Sequence, residues 1–221
     1  MSFVFCKIIS ESKIFKMINT NTILILLLIL LSSCNKSQSE NQNYNSKYYS
    51  TKTFQSDDLN YDFKVPQARK LYEEGRKYYE DKEFNKAIES YKNSLKFEKL
   101  SGTYNVLGIA YRTINDYTNS VNTYLEGINN FKDSWSIYFN LANVYAKMGD
   151  YENSKKYLEI ILNKTDSQFW KDYTNLHLAT IYYNDHKIEK AREYMSKIKK
   201  LQNNPTFTDL HNSIKQRIDS Y

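Results

Sequence analysis

Cysteine, glycine and proline are all scarce in this 221-residue chain, which holds two, five and two of them. Both cysteines, Cys6 and Cys34, fall within the first 34 residues, so the rest can hold neither a disulfide nor a cysteine-ligated metal. The glycines form no phosphate-cradling loop, and the chain lacks H-E-x-x-H, C-x-x-C and G-x-S-x-G. Its three histidines, His177, His186 and His211, are predicted to lie in different elements, and the adjacent pairs Glu73-Glu74 and Asp57-Asp58 point apart on a helix or lie in a polar run. These absences leave no candidate catalytic residue, metal site or cofactor, and the chain is predicted not to be an enzyme. Charge of one sign is also lacking. The formal net charge is +6, and the basic residues are dispersed rather than drawn into a stripe, which argues against nucleic acid as a partner.

One long apolar run is present. Ile23 to Leu31 would rise only about 14 Å as a helix, against a hydrocarbon layer of about 30 Å, too short for a stable span. Lys7, Lys13 and Lys16 precede it, and Leu31-Ser32-Ser33-Cys34 ends it. The stretch 1–33 resembles a bacterial lipoprotein signal peptide, with a lipobox at which Cys34 is acylated and becomes the first mature residue. Initiation at Met1 or at Met17 gives the same mature chain, with 28 basic and 24 acidic residues and a net charge of +4. Residues 34–64 then read as a lipidated cysteine and a polar tether, with Leu59 its one aliphatic residue. As a coil it would reach about 30 Å. Tyr44, Tyr48, Tyr49, Phe54, Tyr61 and Phe63 are more aromatic residues than a passive linker needs, and two readings stay open: docking on the domain or membrane interface, or a sticky tether.

From residue 65 the chain repeats itself. Gly75, Gly108, Ala142 and Ala179 are 33, 34 and 37 residues apart, and Tyr78, Tyr111, Tyr145 and Tyr182 keep the same steps. So do Phe84, Tyr117, Tyr151 and Ile188, and the small residues Ala87, Ser120, Ser154 and Ala191. Within a unit, apolar residues recur at three- and four-residue spacing, break, and resume: Trp135, Tyr138, Leu141, Ala142 and Tyr145 before Met148-Gly149-Asp150, then Tyr151, Tyr157, Leu158, Ile161 and Leu162. Gly149 supplies the positive φ that ends one helix; Asp150, like Asp116 in the unit before, caps the next. The small residues at 75, 108, 142 and 179 are expected to let the paired helix approach closely.

These columns resemble the tetratricopeptide repeat, with its W-x2-L-G-x2-Y, A-x3-F, P pattern. The resemblance runs over 65–203, in units of about 68–100, 101–134, 135–168 and 172–203. It is carried by Leu71, Gly75, Tyr78, Ala87 and Tyr91; by Tyr104, Leu107, Gly108, Tyr111, Ser120 and Tyr124; by Tyr138, Leu141, Ala142, Tyr145, Ser154 and Leu158; and by Asn175, Leu178, Ala179, Tyr182, Ala191 and Met195. The proline is missing from the first three units, and Pro205 lies near its place after the fourth. Three extra residues before the fourth unit are expected to lengthen its first helix or the loop ahead of it. Phe207, Leu210, Ile214 and Ile218 predict an amphipathic capping helix over 204–221. The implied fold is an all-α, right-handed solenoid of about four helix-turn-helix repeats plus that cap, nine helices in all.

The resemblance also implies a function. In the family, peptides or partner domains lie in a concave groove lined by the first helix of each unit, between its packing positions. Those positions are Arg69, Tyr72, Arg76 and Tyr79; Asn105, Ile109 and Arg112; Ser136, Phe139, Asn140 and Asn143; and Tyr173, Leu176, Thr180 and Tyr183. The asparagines can pair with peptide amides, while Tyr and Arg give contact area at low entropic cost. The basic-and-Asn clamp with which some relatives hold a terminal carboxylate is not reproduced. The expectation is a lipid-anchored adaptor of the bacterial envelope, at the outer membrane since Asn35 replaces the retention-associated Asp, binding envelope proteins or extended peptides. The alternative is a peptide or small-ligand receptor.

Overall fold

The computed structural model describes residues 58–200 and 205–221. Cys34 and the apolar run lie outside the described residues. Among these residues all regular structure is helical: α1 Pro66–Glu80, α2 Phe84–Phe97, α3 Ser101–Thr113, α4 Tyr117–Asn130, α5 Trp135–Lys147, α6 Tyr151–Lys164, α7 Gln168–Asn184, α8 Ile188–Ser196 and α9 Pro205–Asp219. Each odd helix from α1 to α7 pairs with the even helix after it, and each pair stacks on the next. The expected four helix-turn-helix units and terminal helix are all there.

The hairpin turns share one geometry. The residues at the left-handed position are Lys82 (φ 63°), Asn115 (φ 61°), Gly149 (φ 79°) and His186 (φ 57°), one per unit in the same register. The following amide closes back onto the repeated tyrosine: Glu83 N donates to Tyr78 O at 2.8 Å, and Asp116, Asp150 and Lys187 N donate to Tyr111, Tyr145 and Tyr182 O at 2.9 Å. These bonds satisfy carbonyls that the helix end would otherwise leave open. Asp116 and Asp150 cap α4 and α6 as expected, each accepting at 3.1 Å from the backbone amide three residues on. Hydrogen bonds to Asn153 hold the Asp150 carboxyl below its ordinary range.

The glycine column has the packing role the sequence suggested. A Cβ on Gly75 would stand 2.6 Å from the Tyr91 ring and one on Gly108 2.4 Å from the Tyr124 ring, both rings being buried. Ring and glycine set how closely α2 approaches α1, and α4 approaches α3. The three extra residues before the fourth unit lengthen its first helix: α7 has 17 residues against 13 in α3 and α5. Ser167 caps it, accepting from Trp170 N at 3.5 Å. The far side of α7 is covered by α9, whose Phe207, Leu210, Ile214 and Ile218 are all buried.

The folded unit starts earlier than residue 65. Along residues 58–65 burial alternates, with Leu59 and Phe63 buried, Tyr61 half-buried, and Asn60, Asp62 and Lys64 exposed. Leu59 belongs to the apolar cluster of Tyr104, Tyr124, Ile137, Leu141 and Val144, and Phe63 to that of Ala68, Tyr72, Tyr91 and Leu107. Of the two readings left open for Tyr61 and Phe63, docking on the domain is the one realised. Burying one side chain in each of two successive inter-repeat cores works with the segment's hydrogen bonds to the helices against the entropy of ordering so polar a stretch.

Candidate functional site

The first helices meet side by side along one face. Tyr79 Oη lies 2.8 Å from Thr113 Oγ1, and Asn140 Nδ2 donates to Asn105 Oδ1 at 2.7 Å, linking α1 to α3 and α3 to α5. The Phe139 ring stands 4.9 Å from Tyr173 and 4.4 Å edge-on from His177, linking α5 to α7. Every residue expected to line a groove sits on these four helices, but their exposures differ sharply.

At the α1 end the face is occupied by the chain's own residues 58–65. The Tyr72 ring lies against Tyr61 (5.7 Å) and Phe63 (5.0 Å) and is buried. Arg69 Nη2 donates to Phe63 O at 3.0 Å. The Glu98 carboxylate accepts from Lys64 N and Val65 N at 3.0 Å. Asn60 N donates to Ser101 Oγ at 2.7 Å, and Gly102 N donates to Asn60 O at 3.0 Å. At α5, Ser134 Oγ donates to Asp58 O at 3.2 Å, while Ser136 N and Oγ each donate to the Asp58 carboxylate at 2.7 Å. Burial pushes the Tyr61 phenol above its ordinary pKa, and a hydrogen bond with Asn105 pulls the other way.

The helix ends explain why the segment settles there. Neither α3 nor α5 has a side-chain cap of its own. Gly102 and Ser136, one repeat apart, occupy the second position of these helices, where an amide has no intrahelical acceptor. Residues 60 and 58 supply one acceptor to each. Gly102 has a further reason to lack a side chain, because a Cβ there would stand 2.2 Å from the Tyr61 ring.

At the α7 end the face is closed by α9. Phe207 stacks on Tyr173 at 5.5 Å, and Tyr221 stands edge-on to Tyr183 at 6.0 Å. Leu176 has no exposure, and Phe139, Asn143 and Arg112 are buried as well. Burial drives the His177 imidazole down to a pKa of about 3. The expectation of one open groove is therefore corrected. Tyr72, Asn105, Arg112, Phe139, Asn143, Tyr173 and Leu176 are packing residues, since the flanking segments and helices cover them. Arg69 and Arg76 are exposed, and Tyr79, Ile109, Asn140, Thr180 and Tyr183 are partly so. Arg76 is held by Glu73 and Glu80 at 3.4 and 3.6 Å.

Sequence reasoning missed Asp58, Gly102 and the pairing of Leu59 with a core. The available signal was the alternation of Leu59, Tyr61 and Phe63 in a run otherwise poor in apolar residues. On the even-helix side a cleft of about 450 Å³ lies between α2 and α4, with Leu95, Tyr104, Leu107 and Tyr111 beneath Lys92, Lys96 and Lys99. Among the described residues no cluster of His, Cys, Asp and Glu could hold a metal ion, and no helix is long and apolar enough to cross a membrane.

The tetratricopeptide repeat model matches residues 136–159, spanning α5, the turn at Gly149 and much of α6. The chain contains a tetratricopeptide repeat. Solved structures extend the likeness in fold over most of the solenoid. A tetratricopeptide repeat protein from Parabacteroides merdae superposes with a TM-score of 0.56 at 16% identity, over 71% of this chain and 61% of that one, so the present chain spans under two thirds of that protein's length. MamA from Desulfovibrio magneticus gives 0.55 at 16% identity over 71% and 93% of the two chains. The pilF protein of Pseudomonas aeruginosa gives 0.52 at 17% over 70% and 76%. No curated protein matches. Repeats of this fold are in general non-catalytic scaffolds for protein–protein contact.

Proposed function

We propose that the protein is a lipid-anchored scaffold of the bacterial envelope that binds segments of partner proteins along the face built by α1, α3 and α5. The observation that carries this reading is the residue 58–65 segment. The face already holds a stretch of the chain's own polypeptide, through hydrogen bonds to its backbone and to the Asp58 carboxylate and through burial of Leu59 and Phe63, as a peptide groove would. The anchor is supported by Leu31-Ser32-Ser33-Cys34 and by the short apolar run before it. Residues 35–57 would then separate lipid from domain.

In-cell crosslinking and affinity purification of the tagged protein test this reading. The comparison is with an Arg76→Glu, Tyr79→Ala, Ile109→Ser variant, whose changes fall on side chains that are exposed or partly so. Partners lost only with the variant support a scaffold acting through this face. Partners retained by both move the interaction to the cleft between α2 and α4, and a folded protein that captures no partner but is stabilised by peptides or small ligands favours a receptor. Cys34→Ser is expected to abolish lipid labelling, and continued acylation of that variant would refute the anchor.

A further inference from the structure

We infer that the half-groove over α1, α3 and α5 is a site for a defined class of peptide, an acidic segment of the form Asp-aliphatic-Asn-Tyr-x-Phe. Residues 58–63 are its resident ligand in cis, which a partner segment of the same form displaces. This inference rests on the proposed scaffold function and names the ligand of that face.

The contacts fall into two kinds. Those to main chain read no sequence: Gly102 N, Ser101 Oγ, Ser134 Oγ, the Glu98 carboxylate and Arg69 hold the backbone at residues 58, 60, 63, 64 and 65. Any chain on the same path can make them. Contacts to side chains set the class. The first position needs a carboxylate, because Ser136 offers an amide and a hydroxyl, both 2.7 Å from the Asp58 oxygens, at the positive end of the α5 dipole. The second and sixth positions fill apolar sites beside Tyr104 and Tyr72, as Leu59 and Phe63 do. The fourth must be a flat ring, since it lies on the bare backbone of Gly102 and reaches Asn105. The third, Asn60, is exposed but turns the segment, its Oδ1 accepting from Asp62 N at 2.7 Å, and the fifth, Asp62, is exposed.

Helices α3 and α5 each give the amide of their second residue to this segment, whereas α7, the first helix of the fourth unit, is capped by its own Ser167. The repeat stack therefore presents two acceptor-seeking helix ends, one repeat apart, to whichever segment lies across them. Residues 58–63 are joined to the domain close by, at Pro66, so they compete at an effective concentration of the order of millimolar. A partner must match their chemistry to win.

The test uses the full-length protein and a fluorescein-labelled synthetic peptide of residues 56–65, read by anisotropy. An Asp58→Ala, Tyr61→Ala protein keeps Leu59 and Phe63 for the core while weakening the resident segment. It is expected to bind the peptide at least ten-fold more tightly than the wild type. Adding Gly102→Ala to that protein is expected to abolish binding, as is replacing the peptide's Asp58 by Asn and its Tyr61 by Ala. Amide hydrogen exchange at Gly102 and Ser136 should be fast in the released variant and slow again with peptide. Equal binding to wild type and released variant, or no binding by a released variant of unchanged helical content, overturns the inference. So does a concentration-dependent dimer in which the segment of one copy fills the site of another. If partners still depend on Arg76, Tyr79 and Ile109 in cells while the peptide fails, the scaffold function stands and this ligand class falls.

Discussion

The two ends of the first-helix face are closed in different ways. Over α1, α3 and α5 lies an irregular segment that buries Leu59 and Phe63 and is held largely through its main chain. Over α7 lies a whole helix, α9, with Phe207, Leu210, Ile214 and Ile218 each no more than 5% exposed. Burying four large apolar side chains on one rigid element is worth several kcal/mol, and those residues form or leave together. Two apolar side chains and a half-buried tyrosine on a short non-helical segment are worth less, and no internal helix ties its residues together. The closure at α7 is structural; that at α1 has the make-up of an exchangeable ligand.

The sharpest break in this contrast is Ile214→Asp. A carboxylate at that buried position cannot coexist with a docked α9, and we expect a loss of at least about 4 kcal/mol with a lower melting temperature by circular dichroism. Should the melt hardly move, α9 is no more structural than the segment at the other end. Second in size is Gly108→Ala. Its Cβ would strike the fully buried Tyr124 ring, which α3 and α4 lock in place, at an expected cost of about 3 kcal/mol. Urea titration measures it.

Acid separates the ends next. His177 lies at the α5–α7 contact, and burial holds its pKa at about 3, against an ordinary value of 6.5. A group whose folded pKa is depressed contributes stability that is full above the unfolded value and is lost as pH falls from about 6.5 toward 3. The expected slope approaches about 1.4 kcal/mol per pH unit, or about 2 kcal/mol lost by pH 5. His177→Phe should flatten this part of the profile, and hydrogen exchange should show α7 and α9 loosening before α1. Equal slopes in wild type and variant would remove His177 from the account.

Most of the solenoid was legible because its signals are local and recur four times. The column of small residues and the tyrosines three residues on are each set within one unit and recur in four copies, and the caps at Asp116 and Asp150 recur in two. The site was only half legible. Position within a unit placed Tyr72, Phe139 and Tyr173 on the correct face but could not show what covers them, since Phe63, His177 and Phe207 come from other parts of the chain. The docking of Leu59 depends on Ser101, Ser134 and Ser136, up to 78 residues away. No short-range pattern carries such a contact. The left-handed column of Lys82, Asn115, Gly149 and His186 was hidden for another reason: only one of the four is a glycine, so composition does not mark it.

A smaller effect sharpens the contrast between glycines. Gly102 and Gly108 both lie on α3, and a Cβ on either would meet a tyrosine ring at under 2.5 Å. The Gly102 ring belongs to the peripheral segment and can move out. Gly102→Ala should therefore evict Tyr61 at a cost of about 1 kcal/mol, partly offset by the better helix propensity of alanine. Hydrogen exchange of the residue 102 amide, which Asn60 O protects, reads the eviction directly. A cost as large as that of Gly108→Ala would mean that the segment is as fixed as the core.

The smallest effect concerns what the two ends share. Lys82 closes the turn of the first unit and His186 that of the fourth, both at a φ near 60°, which a side chain with a Cβ occupies at a cost of about 1 kcal/mol. Gly149 adopts the same conformation freely. Lys82→Gly and His186→Gly should each relieve that strain, while the greater freedom of glycine in the unfolded chain takes part of it back. The net gain expected is about 0.5 kcal/mol at either site. Because both turns make the same hydrogen bonds, to Tyr78 O and Tyr182 O, the gains should be equal. Equal gains, measured by chemical denaturation, would show that the hairpins obey one rule along the whole stack, so the difference between the ends lies in what covers the face. An unequal pair would place part of that difference inside the repeats.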